Sequence, residues 1–126
     1  MIFDTHAHYD DDAFDEDREA LLSSLREAGI GAVTNIGASL SSSRTTLQLS
    51  ARYPWMYAAV GVHPSETAEL TEEGLDWLRQ AAAAERVVAI GEIGLDYYWE
   101  EPEHEIQKKW FSRQLALAAE LKLPVA

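Results

Sequence analysis

The chain has 126 residues, 47% of them hydrophobic and 25% charged, with 22 acids against ten Lys and Arg for a formal net charge of −12. That length accommodates one domain with a real core and not two, so the expectation is a single unit over residues 1–126. The absence of cysteine excludes disulfides, Fe–S clusters and thiolate zinc sites, which leaves nitrogen and oxygen to hold any metal. The acidic balance opposes a broad DNA-coating surface or attraction to an anionic membrane, but not phosphate chemistry at one metal-bearing point. No apolar run approaches the length of a membrane span, and the first residues lack the basic-then-apolar pattern of a signal peptide. The expectation is therefore a cytoplasmic protein with no membrane partner.

The chain opens on a β-prone run, Ile2 to Asp10, that carries Asp4, His6 and His8 at alternate positions. In an extended strand these three share a face, and two imidazoles from one strand end form a cradle for a divalent cation. A polar strand face in water is the alternative. Asp15 to Ala28 has Leu21, Leu22, Leu25 and Ala28 at helical spacing, with acids at its start and Gly29 as its stop. Ile30 to Ile36 is a second strand closed by Gly37. Ser39 to Ser43 offers N-caps for a helix running to Tyr53. Met56 to Val62 is a third strand. Thr71, with Glu72 and Glu73 behind it, opens a third helix, and Val87 to Ile90 is a fourth strand. Pro102 suits the first turn of a long helix whose buried face carries Ile106, Trp110, Leu117 and Leu121. Leu123 to Ala126 begins a fifth strand.

Strands alternating with helices imply parallel pairing. The polar residues fall at the carboxyl ends of the strands: His6 and His8 after the first, Gly37 and Ser39 after the second, His63 after the third, Glu92 after the fourth. That placement is expected of a (β/α)₈ TIM-type barrel, and no G-x-G-x-x-G follows the first strand to favour a dinucleotide-binding sheet. Four to five βα units make up about half of the roughly 250 residues such a barrel needs, so the chain reads as one piece of it, cut inside a strand. His63, in Val60-Gly61-Val62-His63-Pro64, is expected to contact substrate phosphate or a leaving oxygen. Glu92, between Gly91 and Ile93, has two oxygens able to bridge two ions, as hydrolytic two-metal sites require. Tyr97, Tyr98 and Trp99 either stack on unpaired bases or roof the barrel, with Tyr97 the candidate substrate contact. Asp96 is either a helix-terminal acid or an orienting partner. Gln107, Lys108, Lys109 and Arg113 read as a solvated helix face, and His104 as a surface residue.

Asp4-Thr5-His6-Ala7-His8, Gly61-Val62-His63-Pro64, Gly91-Glu92-Ile93-Gly94-Leu95-Asp96 and Phe111-Ser112-Arg113-Gln114-Leu115, followed by Leu123-Pro124-Val125, together resemble the TatD family of metal-dependent deoxyribonucleases. The first motif is shared by many amidohydrolase-like enzymes, whereas the glutamate motif joined to the others is specific. The resemblance implies a metallo-dependent hydrolase barrel with one or two divalent ions (Zn, Mn or Mg), in which His6 and His8 hold one ion and Glu92 bridges, and Glu92 and His63 are catalytic. It also implies cleavage of DNA phosphodiesters, often from a 3′ end, with single-stranded DNA or DNA ends as substrate. The family's other ligands, two histidines and an aspartate from later strands, fall outside these residues, so a C-terminal half or another chain is expected to close the barrel. The rival readings are a metallohydrolase of the same barrel acting on an ester or amide, and a non-catalytic half-barrel binding module.

Overall fold

Four parallel strands, β1 (Ile2–Ala7), β2 (Ile30–Ile36), β3 (Met56–Val60) and β4 (Val87–Ile90), lie side by side in sequence order in the computed structural model, which describes residues 1–126. Helices α1 (Arg18–Leu25), α2 (Leu40–Arg52), α3 (Glu72–Ala81) and α4 (His104–Leu121) follow the strands in turn, with 3₁₀ turns at Asp12–Phe14 and Pro64–Glu69. A doubly wound sheet reverses its strand order at a switch point, whereas an order of 1-2-3-4 curls progressively toward closure. Val125 pairs in parallel with Ile90 outside the named strands. Ile90 N–H donates to Pro124 C=O and Ala126 N–H to Ile90 C=O, both at 3.0 Å, so the expected fifth strand begins beside β4.

Local signals account for most element boundaries. Gly29, at φ 92°, ends the α1 segment in a conformation that a side chain resists. Ser39 caps α2 through a capping box with Ser42, and Thr71 caps α3 by accepting the Gly74 N–H. Several boundaries differ from expectation: β1 ends at Ala7 short of Asp10, and α1 ends at Leu25 short of Ala28. The first helix starts at Arg18 and not at Asp15, because the Arg18 guanidinium is bound to the carbonyls of Tyr9 and Asp11 and to the Asp15 carboxylate, which folds the acidic stretch back as turns. β3 ends at Val60. Pro102 precedes α4, which begins at His104, and its carbonyl accepts a hydrogen bond from Gln107.

The helices cover one face of the sheet. Val33 and Met56 pack with Leu22, Leu25 and Leu49, while Ala58, Val60, Val87 and Ile90 pack with residues of α3 and α4, including Leu75, Leu78, Trp110 and Leu117. Burial of these side chains supplies the main driving force. The opposite, concave face carries Phe3, Thr5, Ala32, Thr34, Ile36 and Tyr57 around a cavity of about 660 Å³. Such a face is the interior of a barrel, and the chain forms four βα units with the start of a fifth.

Candidate metal centre

The site is built at the carboxyl ends of the strands. Asp4 is level with Val33 and Ala7 with Asn35, so three steps along β1 match two along β2. This extra residue breaks the alternation of side chains. Asp4 therefore aligns with Val33, a core residue on the helix side, while His6 lines the concave side with Thr5. The expectation that Asp4 shares a face with His6 and His8 fails for this reason. Its carboxylate instead accepts the His6 N–H at 3.2 Å.

His6 Nε2 and His8 Nε2 each stand 3.5 Å from Glu92 Oε2, and ligand atoms of the three residues lie within 4.8 Å of one another. Zinc bonds of about 2.1 Å in a tetrahedral array separate neighbouring ligand atoms by about 3.4 Å, so this cluster fits a single divalent ion. The chemistry of the donors agrees. His8 Nδ1 lies 2.9 Å from the Ile36 carbonyl, which can only accept, so Nδ1 carries the hydrogen and Nε2 offers its lone pair toward Glu92. His63 is arranged in the opposite sense. Its Nδ1 accepts the Ser65 N–H at 3.1 Å and stands 2.8 Å from the Ser65 hydroxyl, so the ring hydrogen is on Nε2, 3.8 Å from Glu92 Oε1. One carboxylate oxygen thus faces the His8 lone pair, with His6 Nε2 at the same 3.5 Å, and the other faces a hydrogen-bond donor.

Close backbone approach places Glu92. A Cβ on Gly61 would stand 2.7 Å from the Gly91 carbonyl carbon and oxygen, so the chain just past β3 approaches that past β4 only because residue 61 lacks a side chain, while a Cβ on Gly91 would stand 2.8 Å from the Ala126 carbonyl oxygen. Gly91 N–H donates to Val60 C=O at 2.9 Å, and Glu92 N–H to Gly37 C=O at 2.6 Å. His8 is steadied from behind. Asn35, 0% exposed, accepts the Tyr9 N–H at 2.6 Å and donates to the Asp10 carboxylate and the Thr46 hydroxyl, both at 2.8 Å. Burial first, and then the Asp4 charge, raise the Tyr9 phenol above its ordinary value of 10.0.

The structure thus brings His6, His8, His63 and Glu92 together. His8, His63 and Glu92 share a groove of about 350 Å³ with Ser39, Ser42 and Asp10. Tyr97 does not line that groove, and its ring stacks on exposed His104 at 3.7 Å. Tyr98 and Trp99 are 83% and 60% exposed, and the Asp96 carboxylate accepts the Tyr98 N–H at 3.1 Å. On α4, Lys108 pairs with Glu105, Arg113 with Glu72, and Lys109 lies over the Trp110 ring, as befits a solvated face. Gln107 does not belong with them: it is fully buried and bonded to the Asp96 backbone. Nothing in the sequence marks a role for Asn35 or Ser65, and Gln114 figures there only as part of a family motif. For the glutamines a signal was present, since 107, 110, 114, 117 and 121 follow the 3–4 spacing of a buried stripe.

A sequence profile described as TatD related DNase matches residues 3–126. The chain belongs to this family. A Bacillus subtilis protein named uncharacterized metal-dependent hydrolase YabD is 38% identical over 125 residues, 99% of this chain and 49% of its own. An Erwinia tasmaniensis protein named 3'-5' ssDNA/RNA exonuclease TatD is 36% identical over 98% of this chain and 48% of its own. The crystal structure of YjjV, a TatD homolog from Escherichia coli, superposes with a TM-score of 0.90 at 36% identity, over 98% of this chain and 49% of that one. A TatD family hydrolase from Entamoeba histolytica gives 0.88 at 26% identity, over 98% and 48%. The TatD-family chain therefore spans about half the length of the relatives it matches, and its four parallel βα units are part of a TIM-type barrel.

Proposed function

We propose that the protein to which these residues belong is a divalent-metal-dependent hydrolase that cleaves nucleic-acid phosphodiesters, taking single strands or strand ends. The observation that carries this reading is the convergence of His6, His8 and Glu92, with His63 on the second Glu92 oxygen. His6, His8 and Glu92 would hold a Zn, Mn or Mg ion. Once bound, such an ion activates water and offsets phosphate charge. The protein's own groups divide the remaining work. His8 is oriented by the Ile36 carbonyl, and His63, its Nε2 hydrogen turned to the groove, donates to a phosphate or leaving oxygen. The second Glu92 oxygen, Oε1, faces the His63 Nε2 at 3.8 Å and holds that ring at the mouth of the groove. Tyr97 holds the loop against His104, and exposed Tyr98 and Trp99 offer faces for unpaired bases. Further βα units, from the same polypeptide or another chain, cover the concave face and complete the ligand set. Localisation in the cytoplasm accords with this substrate.

The test is Glu92→Gln in the complete protein, which keeps shape and removes charge. Elemental analysis should show loss of metal, and cleavage of a labelled single-stranded oligonucleotide should fall by orders of magnitude, while His104→Gln retains both. Metal and cleavage retained equally by the two variants would refute the reading. Metal loss with turnover only of carboxylic esters or amides would move it to those substrates.

A further inference from the structure

Two buried glutamines on α4 grip the main chain of segments that flank the centre. Gln114, 1% exposed, accepts the Val62 N–H at 2.8 Å through Oε1 and donates from Nε2 to the Val62 carbonyl at 3.1 Å. Gln107, 0% exposed, accepts the Asp96 N–H at 2.8 Å and donates to the carbonyls of Asp96 at 3.0 Å and Pro102 at 2.9 Å. Each side-chain amide thus satisfies both polar groups of one backbone residue, as a neighbouring strand would.

What they grip matters. Val62 lies past the end of β3 and immediately precedes His63; Asp96 immediately precedes Tyr97, Tyr98 and Trp99. Neither amide bonds to His6, His8 or Glu92, which are placed by strand ends and by the glycine contact between Gly61 and Gly91. Amides are also costly in a helix–sheet contact, where leucine would serve packing alone and a half-satisfied amide would be worse than none. The two glutamines are seven residues apart, two helical turns or about 10.5 Å along one face. A single rigid helix therefore sets the separation of the two gripped segments.

We propose that Gln107 and Gln114 are positioning residues for substrate: α4 fixes the His63 segment and the Tyr97–Trp99 loop relative to each other, while the strand ends and the Gly61–Gly91 contact place the metal ligands. The functional meaning of this division rests on the hydrolase reading above; the division itself does not.

The experiment compares Gln114→Met and Gln107→Met in the complete protein, with Gln→Glu at each position as the conservative variant that keeps the acceptor and loses the donor. Zn²⁺ affinity by chelator competition, the NMR signals of the His63 ring and the Trp99 indole, and kcat and KM on a single-stranded oligonucleotide are read together. Zn²⁺ affinity should stay short of the about tenfold loss that follows removal of a ligand-orienting partner. Gln114→Met should shift the His63 signals and leave Trp99 in place, lowering kcat by up to about 10²-fold, the cost of a 1 Å misplacement. Gln107→Met should shift Trp99 and leave His63 in place, raising KM. The glutamate variants should fall between wild type and methionine, and they carry the same reading if a methionine variant does not fold. Unmoved signals, signals that move alike in both variants, or a parallel loss of Zn²⁺ affinity would overturn the proposal. If wild type cleaves no oligonucleotide, the hydrolase reading fails while the NMR signals still decide whether the two segments are separately held.

Discussion

At the scale of single residues, hydrogen-bond direction separates two histidines that look alike in sequence, His8 and His63. A carbonyl behind His8 leaves its Nε2 as a lone-pair donor, and an amide N–H behind His63 leaves its Nε2 as a proton donor. The support behind His8 continues to Asn35, whose amide joins the Tyr9 backbone, Asp10 and Thr46 in the interior. Asn35→Ala removes that junction and strands the Tyr9 N–H and the Asp10 carboxylate. Urea unfolding should report a loss of about 1–3 kcal/mol, and chelator competition should report metal binding weakened by about tenfold, since Tyr9 follows His8 directly. Unchanged metal affinity in a destabilised Asn35→Ala protein would confine the residue to a structural role. The histidine motif was legible because its spacing is local. Asn35 was not, because its partners are 25, 26 and 11 residues away in sequence and only the fold makes them neighbours.

At the scale of elements, the ends of β3 and β4 are joined through backbone where side chains would intrude. Gly61→Ala would place a Cβ 2.7 Å from the Gly91 carbonyl, and backbone cannot swing aside as a side chain does. Overpacking of this kind costs about 1–3 kcal/mol. Because Glu92 is the next residue, its displacement should weaken Zn²⁺ binding by about tenfold, measured against a chelator. Gly29→Ala, with nothing within 4 Å of its Cβ but a φ of 92°, is the comparison: it should lose stability and keep the metal. Equal metal loss in both variants would show that the Gly61–Gly91 contact has no special bearing on Glu92. Element boundaries set by caps and glycine stops were legible, as at Ser39, Thr71 and Gly29. The start of α1 was not, because Arg18 reaches back to Tyr9 and Asp11 and overrides the preference of acids for a first helical turn.

At the scale of the whole molecule, the sheet has helices on one face and an apolar concavity on the other, where Phe3 is 54% exposed and pairs loosely with Tyr57 at 6.2 Å. An apolar patch next to strand edges drives association, which the charge of −12 opposes through repulsion that salt screens. The 126-residue chain by itself should therefore self-associate, and more strongly as salt rises. Phe3→Lys should shift sedimentation velocity profiles toward the monomer with the far-ultraviolet spectrum retained. A wild-type chain that remains monomeric at high salt would contradict this.

The residues alone determined the alternation of strand and helix, the parallel sheet and the gathering of His6, His8, His63 and Glu92 at one end. All of these follow from local periodicity and from the rule that each crossover returns the chain to the same end of the sheet. Family motifs were legible for the same reason: each lies within a few consecutive residues. Only the tertiary structure decided that Asp4 turns from the cluster of His6, His8 and Glu92, that His8 and His63 present opposite hydrogen-bonding roles, and that Gln107 and Gln114 are interior clamps. Those outcomes depend on one extra residue in a strand pairing and on backbone groups as many as 52 positions away. A strand's face and an amide's partner are properties of a packed neighbour, and local spacing carries no record of which neighbour that will be.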